Sequence, residues 1–369
     1  MNAYTVLGAG AIGGSLAHHL GSTGHPVVVV DVDADHVEAI RTRGLTLLQP
    51  DGTSDVVRVA AAHTPGEAAA LGLRHERVLL ATKAQHVAAA AAWLAPFLAA
   101  DGFAVLCQNS DTFDSAARSL GPARVVPAFV NFAADVVEPG VVRVGGPGEV
   151  VLGERTGAES TRVRSVVADL AAFGHVTAST RVNGFLWAKR GIAAILTTTA
   201  LVDEHIADVI DSARPLMAVI ATEVYRIARA EGVRPEPIDG IVPEHLMTDA
   251  EPGQRDEAFD RLVAFTRGMA GKPRSGVFRD LAVRHRPTEA RPELVRLAGL
   301  AVRHGLTAPA LVRLAALIGE LEQGTRTFGR RNLADLAAST TCDLRPPTTG
   351  KHPAGKHPTD PLPVEGTPT

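Results

Sequence analysis

The chain is poor in several things at once, and each shortage closes off a class of protein. Cysteine occurs twice in 369 residues, at Cys107 and Cys342, too few for a disulfide framework or a thiolate cluster. The fourteen histidines are scattered without ligand spacing, His18-His19 on one expected helix and His352 and His357 near the C-terminus, so no metal is expected. Aromatics make up 4% of residues, net charge is −3, and no basic cluster is interleaved with aromatics; a nucleic-acid partner is not expected. No apolar run reaches membrane-spanning length, and the first apolar strand begins within a few residues of Met1, so the expectation is no membrane anchor, no signal peptide and a cytoplasmic location. Lysine is scarce as well: five of the 37 basic residues, with only Lys83, Lys189 and Lys272 before the C-terminal segment. A lysine can exchange a proton near neutral pH once its pKa falls, which arginine cannot, so these positions draw attention as chemistry.

What the chain has in quantity is apolar residues, 46% of the total, enough for two domains with cores of their own. The most telling segment is Gly8-Ala9-Gly10-Ala11-Ile12-Gly13, entered from the apolar run Tyr4–Leu7. In a dinucleotide-binding turn Gly8 allows the strand-to-helix bend, Gly10 lets backbone approach a pyrophosphate, and Gly13 lets the helix lie close on the strand, with its N-terminal N–H groups aimed at the phosphates. The following helix stops at Gly21, and Pro26–Val30 is a second buried strand ending in Asp31. A carboxylate there accepts hydrogen bonds from ribose hydroxyls and repels a 2′-phosphate, with Asp33 adding a second charge, so NADH is favoured and NADPH stays open. The local alternative is that Asp31 caps the next helix.

Short apolar runs alternate with helical stretches through residues 1–178, the pattern of a mostly parallel sheet wrapped by helices. The run Val141–Gly153 predicts an antiparallel hairpin around Gly146-Pro147-Gly148. Residues 179–338 read as helices only, three of them closed by Gly232, Gly305 and Gly324. The expectation is an α/β fold with an N-terminal Rossmann-type domain over 1–178, an all-helical domain over 179–338 and a disordered Pro- and Thr-rich tail over 339–369. Lys189 sits in the opening helix of the second domain among Phe185, Ile192, Ile195 and Leu196. Partial burial there lowers its pKa and makes the ammonium a usable acid, while a snorkelling surface lysine is the competing reading.

The sequence resembles the ketopantoate reductase family. The resemblance is carried by the glycine turn, Ala81-Thr82-Lys83-Ala84, Gln108-Asn109, Pro139–Arg143, Gly148–Glu154, Leu186-Trp187-Ala188-Lys189, Ser275–Asp280 and Arg286-Pro287-Thr288-Glu289. It implies reduction of ketopantoate to pantoate with NADPH, on a Rossmann domain joined to a helical domain like that at the C-terminus of 6-phosphogluconate dehydrogenase. It also implies that Lys189 is the general acid, that Glu289 orients it or touches the substrate hydroxyl, that Asn109 lines the nicotinamide end and that Lys83 lies near the cofactor. Lys272 and Ser275 are further substrate candidates. From local sequence alone, Glu289 reads first as a carboxylate favouring a helix N-terminus and Lys272 as a solvated loop lysine, while Asn109 reads equally as a turn residue.

Three departures bear on substrate. Where the family carries asparagines four and eight residues after the lysine, this chain has Ala193 and Thr197, positions on the same helix face as Lys189. Ser110 replaces the glycine usual after Asn109, and Asp31 replaces the arginine or neutral residue that goes with NADP use. The expected function is therefore an NAD(P)H-dependent reductase of a 2-oxo acid or related carbonyl. Imine reduction, hydroxy-acid oxidation and an inactive cofactor-binding sensor stand as alternatives. The expected partner is a small-molecule substrate, with a homodimer left open.

Overall fold

The computed structural model describes residues 1–72, 74–146, 148–268 and 273–340. Its strands are β1 (Tyr4–Leu7), β2 (Val27–Val30), β3 (Leu45–Leu48), β4 (Ser54–Val57), β5 (Ala60–Ala62), β6 (His75–Leu80), β7 (Leu98–Leu106), β8 (Val125–Asn131), β9 (Ala134–Glu138), β10 (Val141–Val144), β11 (Glu149–Leu152) and β12 (His175–Ala178). Eight form one sheet in the order β12-β11-β8-β7-β6-β1-β2-β5. The six neighbours β8, β7, β6, β1, β2 and β5 run parallel, and β11 joins β8 antiparallel with β12 beyond it. Parallel strands are covered on both faces, and the four valines of β2 are accordingly all buried. The strand order reverses between β1 and β6, and a ligand crevice in such a sheet opens at the carboxyl ends of the strands beside that reversal. The glycine turn, Lys83 and Asn109 all follow strands of this group.

The remaining strands make a second sheet, β4-β3-β10-β9, packed over the helix Ala11–Ser22. Small residues allow the approach: a Cβ on Gly14 would stand 2.8 Å from a Val142 methyl, and one on Gly21 2.8 Å from a Val57 methyl. This sheet corrects the expected hairpin over 141–153. The two strands exist, but β10 pairs with β9 and β3 while β11 pairs with β8. The chain therefore passes from one sheet to the other between Val144 and Glu149, with Pro147 outside the described residues. Between β6 and β7 the helix Val87–Leu94 gives way at Pro96 to a short 3₁₀ turn, Ala95–Phe97, and Leu98 already belongs to β7, as proline requires.

From Val182 onward the described residues form helices, apart from one isolated bridge between Ile238 and Ile241. Their core runs from Trp187 to Leu336. The helix Val182–Thr199 passes through it, held against Arg214–Ala230 at a glycine: a Cβ on Gly191 would overlap the Tyr225 ring, and the Tyr225 hydroxyl donates to the Ala188 carbonyl at 3.2 Å. A small apolar cluster joins the halves, Phe129 and Val151 of the sheet against Leu186, Ala188 and Ile238. The α/β architecture with a helical second half is thus as expected. The helix Arg330–Thr340 covers the first two residues of the expected tail, and the rest of that tail lies outside the described residues.

Candidate active site

The glycine turn is built by steric necessity at two of its three glycines. Gly8 has φ +96°, and a Cβ there would fall 2.7 Å from the Thr82 backbone nitrogen; at Gly13 it would fall 1.9 Å from the Gly8 carbonyl oxygen. Gly10 differs, because a Cβ there meets nothing within 4 Å. The space it would enter adjoins the start of the helix, where Ala11, Ile12 and Gly13 precede the first intrahelical hydrogen bond, Gly14 N–H to Gly10 O at 2.7 Å. Their N–H groups have no intrahelical partner, and the helix dipole favours negative charge there.

Asp31 braces this turn. One carboxylate oxygen accepts the Ala9 N–H at 2.7 Å and the other the Asp33 N–H at 3.0 Å. The cap of the next helix is Asp33, which accepts the His36 N–H at 3.0 Å, so the local alternative for Asp31 falls. His36 closes the far side: its Nδ1 accepts the Gly140 N–H at 3.0 Å, which leaves Nε2 to donate to the Ala9 carbonyl at 2.9 Å. That pair of bonds defines a neutral ring with its proton on Nε2. The cradle at Gly10, the free N–H groups and the unused lone pairs of Asp31 fit the pyrophosphate and ribose of a nicotinamide dinucleotide.

At the ends of β6 and β7 the pair Gln108-Asn109 ties neighbouring strands together. The Gln108 amide donates to the carbonyls of Leu80 and Thr82, both at 2.8 Å. Asn109 exchanges two hydrogen bonds with Val130, donating at 2.7 Å and accepting at 3.0 Å. Its amide therefore fixes the end of β8, and with it Asn131. Lys83 follows β6 at an exposed position.

Lys189 projects from the helix Val182–Thr199 to that strand end, where its Nζ donates to Asn131 Oδ1 at 2.7 Å. The Asn131 amide in turn donates to Asp239 Oδ2 at 2.9 Å. Burial pushes the Lys189 ammonium below the ordinary lysine range, and the negative charge of Asp239 opposes that shift. Glu289 stands at an exposed position just before the helix Ala290–Arg303, and its carboxylate makes no cap hydrogen bond. Surrounding protein pushes that carboxyl above the usual range; Lys83 pulls it down, Asp280 pushes it up, and Arg286 and His86 pull it down. Glu289 thus faces Lys83 of the other domain, while Lys189 faces Asn131 and Asp239. Lys189 and Glu289 share no hydrogen bond among the described residues.

The profile described as Ketopantoate reductase PanE/ApbA matches residues 4–157, and that of the PanE/ApbA C-terminal domain matches residues 182–322. The chain belongs to the ketopantoate reductase family. A 2-dehydropantoate 2-reductase of Mesorhizobium japonicum is 29% identical over 296 residues, which is 70% of this chain and 89% of the relative. One from Halobacterium salinarum is 30% identical over 234 residues, 62% of this chain and 75% of the relative. Among solved structures, a PanE/ApbA family ketopantoate reductase from Ralstonia eutropha superimposes with a TM-score of 0.72 at 26% identity, covering 88% of this chain and 100% of that one. A D-mandelate dehydrogenase solved with NADH and anilino(oxo)acetate shares the fold, with a TM-score of 0.72 at 18% identity over 87% of this chain and 98% of its own. The chain is accordingly a nicotinamide-dependent oxidoreductase acting on a carbonyl.

In this ketopantoate reductase family member the two departures after Lys189 have visible consequences. Ala193 is exposed. Thr197 is buried and donates its hydroxyl to the Ala193 carbonyl at 2.8 Å. Ser275 is buried and caps a short turn by accepting the Phe278 N–H at 3.2 Å. Lys272 lies outside the described residues.

Sequence reasoning missed Asn131, Asp239 and a clasp between the domains. Asp111 receives Arg296 at 3.2 Å, Arg155 at 3.5 Å and Arg190 at 3.6 Å. Arg190 is only 5% exposed, lies over the Trp187 ring at 4.5 Å and also approaches Glu293 at 3.4 Å. Asp111, Arg155 and Arg190 line a cavity of about 240 Å³ that Lys189 does not line. The only sequence signal for the clasp was an acidic residue two places after Asn109.

Proposed function

We propose that the chain reduces a 2-oxo acid with NADH in preference to NADPH, and that its substrate is less polar or bulkier than ketopantoate. The proposed division is 1–178 for the cofactor domain and 179–338 for the catalytic domain, with the substrate held between them. A nicotinamide, when bound, supplies the hydride. Lys189 then gives a proton to the carbonyl oxygen as negative charge develops there, general acid catalysis of a kind worth about 10²–10⁴-fold in rate. Its seat at the domain junction, hydrogen-bonded to Asn131 and lowered in pKa by burial, is the observation that carries this reading. Glu289, whose carboxyl is pushed above the usual range by burial and pulled back by Lys83, is the proposed contact for a substrate hydroxyl or carbonyl.

NADH preference rests on Asp31, whose carboxylate lies beside Ala9 where a 2′-phosphate would meet like charge. The mandelate dehydrogenase of the same fold was solved with NADH. The substrate class rests on Ala193, which leaves space and no amide where the family has an asparagine. Few cysteines support a cytoplasmic location. A homodimer is the proposed assembly, supported by the exposed Val56, Val136 and Val137 on the second sheet.

The test is a matrix of ketopantoate and 2-oxo acids with larger apolar groups against both cofactors. The highest kcat/KM is expected with NADH and an apolar acid. Asp31→Ala should gain NADPH use, and Ala193→Asn should move kcat/KM toward ketopantoate by about tenfold, the value of one substrate hydrogen bond. Best activity of the unmodified enzyme on ketopantoate with NADPH would contradict both choices.

A further inference from the structure

We propose that Asp239, acting through Asn131, is a positioning residue that orients the Lys189 ammonium and holds its proton in place; this rests on reading Lys189 as the proton donor. The three groups form one line, Lys189 Nζ to Asn131 Oδ1 at 2.7 Å and Asn131 Nδ2 to Asp239 Oδ2 at 2.9 Å. The chemistry of the ends dictates the middle. An ammonium can only donate and a carboxylate can only accept, so the Asn131 amide has one orientation that satisfies both. Without Asp239 the amide is free to turn over and present its NH₂ to a cation. Asn131 is held from behind too, since Asn109 pins Val130 by two hydrogen bonds.

Asp239 is placed by an unusual piece of backbone. It has φ +51° and is followed by Gly240 at φ +74°, between Ile238 and Ile241, which bond to each other at 3.1 and 2.8 Å. Two successive positive φ values make this a type I′ turn, for which Asp-Gly and Asn-Gly are the favoured pairs. The rigid two-residue turn carries the carboxylate across the domain junction to β8, between residues 108 positions apart in sequence. Other charges face the same spot. Glu149, paired with Asn131 in the sheet, is raised by burial and by Asp239, while His175 stands 3.9 Å from it. Burial lowers Lys189, and Asp239 is the charge that opposes it.

The experiment uses the full chain and two substitutions that keep the turn, Asp239→Asn and Asp239→Gly. Competitive acetylation of Lys189 across pH, read by peptide mass spectrometry, gives the titration midpoint of this one amine without any turnover. Both variants are expected to lower that midpoint by about one pH unit, the effect of removing an opposite charge at short range. The falling limb of kcat/KM against pH should move down in parallel, and Asp239→Gly should also lose kcat as Asn131 loses its anchor. An unchanged midpoint in both variants overturns the proposal, even if stability or KM changes. The acetylation readout stands whether or not Lys189 proves to be the donor, so failure of that reading shows separately, as turnover retained in Lys189→Ala.

Discussion

The glycine turn offers a pair of substitutions with opposite consequences. Alanine at Gly13 places a Cβ 1.9 Å from the Gly8 carbonyl oxygen and 3.0 Å from the Ala81 Cβ, so helix and strand must separate by more than an ångström. That is backbone overpacking in the core of the first domain, with an expected loss of about 3 kcal/mol, the upper part of the range for such insertions. Alanine at Gly10 meets no atom within 4 Å, and its φ of −61° and ψ of −163° are open to any residue. Stability should be unchanged or higher by about 0.4–1 kcal/mol, because alanine restricts the unfolded chain. The methyl group instead fills the cradle where a pyrophosphate would approach the backbone. A displacement cost of about 1–3 kcal/mol corresponds to roughly fivefold to 150-fold weaker cofactor binding. Urea denaturation measures the first quantity and titration of NADH fluorescence the second. Gly10→Ala binding NADH as well as the unmodified protein would refute the assignment of this turn to the phosphates.

Two further outcomes follow from buried charge. Asp111→Asn leaves Arg190 facing Glu293 alone, and urea denaturation should show a loss of about 3 kcal/mol, the low end for breaking a buried pair; a loss below about 0.5 kcal/mol would make the clasp ornamental. Burial first, and then the neighbouring His18, lower His19 to about 4. The unfolded chain therefore takes up a proton that the folded chain refuses, and stability present above pH 6.5 is lost as pH falls toward 4, by about 2 kcal/mol after allowance for partial exposure. His19→Gln should flatten that dependence in urea titrations at several pH values, and an unaltered slope would remove His19 as its source.

The parts legible in the sequence are those whose physics is local. A glycine that must bend and a glycine that must make room leave their mark within six residues, and the runs of valine and alanine announce a buried parallel sheet. Lys189 stood out because lysine is rare here and its flanks are apolar. The second sheet was not legible, because it assembles residues 45–57 with residues 134–144, and its demands for small residues fall on Gly14 and Gly21 within a helix already explained by other means. The strands β10 and β11 were visible, but which sheet each would join depends on partners far away. Asn131 and Asp239 each have an ordinary local explanation, a strand end and an Asp-Gly turn. Their meaning lies in meeting Lys189, across 58 positions in one case and 108 in the linking bond. Asn109 shows the reverse: the motif was legible, but its amide bonds to Val130.

The central claim is that the Lys189 ammonium protonates the reducing carbonyl. Single-turnover reduction of a 2-oxo acid by Lys189→Ala, with NADH affinity measured in the same preparation, tests it most directly. The expected result is a rate lower by about 10²–10⁴-fold with cofactor affinity nearly intact. A rate within a few-fold of the unmodified enzyme, on the same bound cofactor, would contradict it.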